Sequence, residues 1–168
     1  MFALDKTTGL ASQILASASL VGGAYHFGRD SFFTVDRQGS DLITESNASN
    51  ATISNTYSPT PPDSFDINYG DLDILSTTGN LFIVSSQQNR IREFTPDGVF
   101  VRDIDLAGIP QIFGMSSIAI DDANQMAWIS STSGGVFQVS GVFTPVPLPA
   151  PLFLLLSGVL LVATRIRR

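Results

Sequence analysis

Cysteine is missing from all 168 residues, so disulfides, thiolate chemistry and Cys-based metal sites are closed to this chain. Histidine is nearly missing too. His26 stands alone, which excludes a multi-His zinc site. A Ser-His-Asp arrangement would need His26 as its base, but no nucleophile elbow lies near it. His26 therefore reads as a polar residue of a strand or loop. Before Pro147 no window holds a helical period, and the first residues lack the apolar stretch of a signal peptide. The opening MFALDKTTGLASQILASASLVGG reads instead as a strand pair, FAL and LASQIL, around a turn at Asp5–Gly9.

Charge is sparse at 14%, and it is unevenly placed. All 15 acidic residues lie at or before Asp122, with six of the nine basic ones; the large N-terminal region is thus about −9 and the tail +3. An acidic surface argues against nucleic acid and anionic lipid headgroups as partners. It suits cations, neutral glycans, a hydrated matrix, or simply water.

The C-terminal tail carries the strongest signal, in three parts without a gap. A proline-rich strip, Val146, Pro147, Leu148, Pro149 and Ala150, cannot continue a helix and stays extended (the motif region is 144–151). An apolar run over 152–164 is predicted as a transmembrane helix. The basic end at 165–168 supplies Arg165, Arg167 and Arg168, which stop transfer and remain cytoplasmic. Val146 to Thr164 comes close to the ~20 residues of a spanning helix. Leu152 to Thr164 alone covers about 20 Å at ~1.5 Å per residue, short of a ~30 Å lipid core. A plain anchor, a buried core helix and a temporary stop removed by processing are the three readings of such a run.

The literal VPLPA, the hydrophobic run and the terminal Arg cluster resemble the VPLPA-CTERM variant of PEP-CTERM sorting signals. That resemblance implies a Gram-negative bacterium and an exosortase, a multi-spanning membrane protease-transpeptidase, as partner. It also implies passage through the inner membrane to the cell surface or extracellular matrix, often beside exopolysaccharide. Val146 to Ala150 would then carry recognition and the arginines orientation, with this chain as substrate. Export needs a leader, so Met1 is expected to be an internal start or the sequence a fragment.

Upstream, the chain repeats. Asp71-Leu72-Asp73-Ile74, a turn at Ser76–Asn80, LFIVSS, RIREF, a turn at Thr95–Gly98 and VFVRDIDL form one unit. About 45 residues later come Ile118-Ala119-Ile120, a turn through Asp121 and Asp122, MAWISS, TSGG and VFQVSG. This spacing aligns Ser85-Ser86 with Ser130-Ser131, Ile91 with Val136 and Phe94 with Val139. YHFGRDSFFTVDRQGSDLITE is a looser copy, and residues 1–17 resemble the last two strands of another. LFIV and AWI are continuous apolar runs, expected to be packed on both faces. RIREF alternates, with Ile91 on one side and Arg90 and Arg92 on the other, as an outer strand would. SNASNATISNTYSPTPPDS, 46–64, reads as a polar loop, with Asn47 and Asn50 in coincidental sequons.

A period of 40–50 residues with three or four short strands marks β-propeller blades. The phrase GNLFIVSSQQNRIREFTPDGVFVRDIDL resembles the six-bladed NHL and SMP-30-like propellers. The expectation is an all-β region over 1–143, with blades at 1–17 (partial), 18–57, 65–107 and 112–143. These three and a half blades would be part of a larger propeller. The resemblance would also allow a divalent cation, for which Asp71, Asp73 and Asp121 are the candidates; the Asp121–Asp122 pair reads first as a turn. No other cofactor is expected. The functional expectation is a sorted surface or matrix protein with a non-catalytic propeller binding module. The alternatives are a metal-dependent, lactonase-like hydrolase and a permanently anchored scaffold.

Overall fold

A computed structural model of the chain describes residues 2–4, 7, 11–13, 19–37, 41–60, 62–109 and 112–143. The expected sorting strip, transmembrane helix and basic tail (144–168) lie outside the described residues. Among those described, helix is limited to a 3-10 turn at Phe27–Arg29, and no helix is long and apolar enough to cross a membrane.

The remainder is antiparallel β-structure. A hairpin pairs β1 (Phe2–Leu4) with β2 (Ala11–Gln13). Two four-stranded meanders follow. One contains β3 (Leu20–His26), β4 (Ser31–Asp36), β5 (Ile43–Asn47) and β6 (Ile53–Tyr57). The next contains β7 (Asp71–Ile74), β8 (Leu81–Val84), β9 (Arg90–Phe94) and β10 (Phe100–Asp105). A three-stranded sheet ends the described chain: β11 (Met115–Asp121), β12 (Met126–Ser131) and β13 (Val136–Ser140). Below, these are the second, third and fourth sheets.

Local chemistry sets the hairpins. Thr95-Pro96-Asp97-Gly98 closes β9 onto β10, with Gly98 at φ 86°, a conformation open to glycine and strained for other residues. Asn47 and Asn50 each accept hydrogen bonds from the backbone N–H and hydroxyl two residues ahead, Ser49 and Thr52. These Asx turns give the two sequons a structural reason. They also correct the reading of 46–64 as loop: the turns close β5 onto β6, whose Ile53–Tyr57 is an outer strand with two strongly exposed positions at its start.

The sheets stack through strand alternation. In β8, Leu81 and Ile83 pack toward the second sheet with Phe33, Val35, Ile43 and Leu72. Phe82 and Val84 pack the other way, with Ile118, Ala127, Ile129 and Val139 of the fourth sheet. All four β8 side chains are fully buried, each burial contributing about 1.5–3 kcal/mol. The first strands, β3, β7 and β11, lie side by side, so the three sheets share one inner edge.

Three expectations need correcting. β9 is not an outer strand: β10 pairs on its far side, and Arg92 is fully buried. Its guanidinium binds Asp103 through two nitrogens at 2.8 Å and meets the Asp63 carboxylate and the Pro59 carbonyl. The loop before β7 folds over this strand and supplies those acceptors. Second, AWI is not covered on both faces. Ala127 and Ile129 are buried, but Trp128 is 43% exposed, because no described sheet packs behind the fourth one. Third, the repeat slips by one residue. Val84 pairs with Ile91 and its counterpart Ser130 pairs with Val136, so the β12–β13 hairpin is one residue shorter. Ser85 therefore matches Ser131, not Ser130: each hydroxyl donates to the carbonyl of a residue ahead of its sheet, Asp66 and Phe113 respectively.

Past β13 the chain turns at Gly141 (φ 75°) and returns to the third sheet. The Val142 carbonyl accepts from Arg102 of β10 at 2.8 Å, and Phe143 meets Phe82 edge-on at 4.9 Å.

Candidate functional site

The sequence singled out the carboxylates of β7, and the structure places them between inner strands. Asp73 accepts the Ile120 N–H of β11 at 2.7 Å through one oxygen and its neighbour's, Ile74, at 2.8 Å through the other. Asp71 accepts the Leu72 N–H at 2.8 Å and is also engaged by the N–H groups of Ile118 on β11 and Gly23 on β3. Burial pushes both carboxyls above the usual range, against the pull of these N–H donors; the Asp73 charge adds to the rise at Asp71, and the Asp122 charge to that at Asp73. Short acidic side chains thus join one inner strand to both neighbours.

Asp121 sits apart from this pair in role. It ends β11 and accepts the Asn124 side-chain and backbone N–H groups, which hold its carboxyl below the ordinary value. That is the turn chemistry the sequence suggested. Asp122, in the same turn, reaches the third sheet and accepts from the Ser76 hydroxyl and the Thr77 N–H. Among the described residues no three His, Asp or Glu side chains gather as a metal-binding group. Val146 to Ala150, Arg165, Arg167 and Arg168 lie outside the described residues.

Beside Asp73 lies a cavity of about 200 Å³, which the sequence reading missed. Tyr25, His26, Phe27 and Gly28, from the end of β3 and its turn, form one wall. Asp73, Ile74, Ser76 and Gly79, from the end of β7 and its turn, form the other. Gly79 has φ 77°, and a Cβ there would stand 2.7 Å from the His26 Nε2, so glycine admits the imidazole. His26 packs on Phe33 with ring centroids 5.9 Å apart, and neither buried ring nitrogen has a hydrogen-bond partner among the described residues. Phe27 is 84% exposed and meets Tyr25 edge-on at 4.9 Å, while the Tyr25 hydroxyl donates to Asp30 at 2.6 Å. The available signal was the pair YHFG and STTGN: aromatic residues and glycines at the first turn of successive repeats.

No protein-family model matches the sequence, and no curated protein matches it significantly. Solved structures do resemble the fold. A nidogen/laminin complex aligns with TM-score 0.67 and 14% identity over 86% of this chain and 54% of that one. A gluconolactonase from Xanthomonas campestris aligns with TM-score 0.59 and 16% identity, covering 82% and 42% respectively. Hydrazine synthase from Kuenenia stuttgartiensis gives 0.56 and 7%, covering 77% and 35%. The chain spans about half, or less, of each. Together with the meander sheets, these neighbours make the fold β-propeller-like.

Proposed function

We propose that this chain is the binding module of a bacterial surface or matrix protein, delivered there by an exosortase acting on its C-terminal signal. The observation that carries the reading is the uninterrupted order of Val146–Ala150, an uncharged apolar run and Arg165, Arg167 and Arg168. The proline strip offers accessible backbone, the apolar run holds the chain in the bilayer, and the arginines fix its orientation. Further blades would complete a six-bladed propeller around the shared inner edge. Binding rather than catalysis is favoured by the β7 carboxylates, whose oxygens are already engaged by backbone N–H groups of neighbouring strands.

The test is fractionation of an N-terminally tagged protein in a host carrying an exosortase. The expected result is a shortened product at the surface or in the medium. With Pro147→Ala and Pro149→Ala together, the full-length product is expected to stay in the inner membrane. Retention of both forms at full length would instead identify a permanently anchored scaffold.

A further inference from the structure

We propose that the cavity between the second and third sheets binds an organic cation, a substituted ammonium group. The proposal rests on the binding-module reading and gives that module a ligand class. The cavity is a space of about 200 Å³ with walls from two sheets, enough for a small head group and too small for a large one. Its lining contains the Asp73 carboxylate, the rings of Tyr25 and Phe27, and no lysine or arginine. Asp122 adds negative charge next to Asp73, and Asp30 adds more at the Tyr25 hydroxyl.

Electrostatics then selects among ligands. Aromatic faces carry the negative end of the ring quadrupole, so rings and carboxylates both attract positive charge. An anion would be repelled by each of these groups, and a neutral polyol would gain from neither field. Asp73 is held in partial burial, where a carboxylate interacts more strongly with an arriving cation than it would in water. The chain's own guanidinium at Arg29 does not serve, since it is engaged by Glu45 and Asp97. Phe27 is an apolar ring standing almost free of the protein beside this cavity, and a methylated ammonium would cover it.

The experiment uses the isotope-labelled full chain in a non-ionic detergent, titrated with choline chloride and with its uncharged isostere 3,3-dimethylbutan-1-ol. Choline is expected to shift the amide resonances of Tyr25, Phe27, Asp73 and Gly79 saturably, with the isostere at least about tenfold weaker. Phe27→Ala, at an exposed position, is expected to keep the wild-type melting curve and to bind choline at least about threefold more weakly. Equal binding of the two probes, no saturable shift at these residues, or unchanged choline affinity in Phe27→Ala would each overturn the proposal. Choline failure in a protein still delivered to the surface removes only the ligand class. Choline binding by a protein retained in the membrane removes only the sorting.

Discussion

The third and fourth sheets begin from nearly the same phrase and end in different environments. LFIV in β8 and AWIS in β12 occupy equivalent second strands, and Leu81 and Ile83 correspond to Ala127 and Ile129, each pair buried against the preceding sheet. On the following face the match fails: Phe82 is fully buried against the fourth sheet, while its counterpart Trp128 lies open beside Ala119 and Gln138. Phe82 and Trp128 are both large aromatic side chains. What differs is the number of neighbours, so burial in a stacked architecture belongs to the position of a sheet as much as to its residues.

Core truncation gives the sharpest measure of that contrast. Phe82→Ala is expected to destabilise the chain by about 3–5 kcal/mol, whereas Trp128→Ala is expected to cost under about 1 kcal/mol. Urea midpoints of the two variants decide it, and equal losses would mean that something covers Trp128. The buried guanidinium comes next. Arg92→Ala removes the partner of Asp103 and Asp63 and is expected to cost about 2–3 kcal/mol, less than a fully enclosed pair because both carboxylates are partly exposed. The fourth sheet carries Phe137 and Val139 in this stretch and, among the described residues, has no equivalent pairing to lose.

The smallest effect separates two parts of the third sheet, its loop-covered β9 and its inner β7, by pH. Arg90 and Arg92 hold the Asp63 carboxyl at about 2, so its contribution is present above the ordinary carboxylate range and lost as pH falls through about 2. Asp71 and Asp73 have the opposite sign. Their raised values mean a contribution that is full at low pH and lost as pH rises through the folded-state value. Asp63→Asn is therefore expected to change the stability curve at neutral pH but not at the acid end, where wild type has already lost the interaction. Asp71→Asn is expected to remove a decline on the rising side of the carboxylate range. Thermal melts across pH 2–7 would read both, and a matching acid-side loss in the two variants would contradict the assignment.

Much of the strand pattern was legible because its causes are local. Alternation in RIREF placed Ile91 opposite Arg90 and Arg92, and Pro96-Asp97-Gly98 marked its hairpin. The enclosure of Arg92 was not legible, since its acceptors come from Pro59 and Asp63 in a loop that reads merely as polar. The same holds for the candidate site. Asp71 and Asp73 stood out as a pair, but their N–H donors sit on strands from two other repeats, and the cavity beside them needs two turns far apart in the chain. The one-residue slip at Ser131 escaped for a related reason: similar Ser-Ser pairs satisfy either alignment, and only hairpin length separates them.

The return of the backbone after β13 has a mechanical consequence. Because Val142 is clasped by Arg102 and Phe143 lodges on Phe82, whatever follows residue 143 departs alongside the most thoroughly enclosed sheet. A tether drawn from there would load the middle of the molecule, leaving the uncovered flank around Trp128 free of strain.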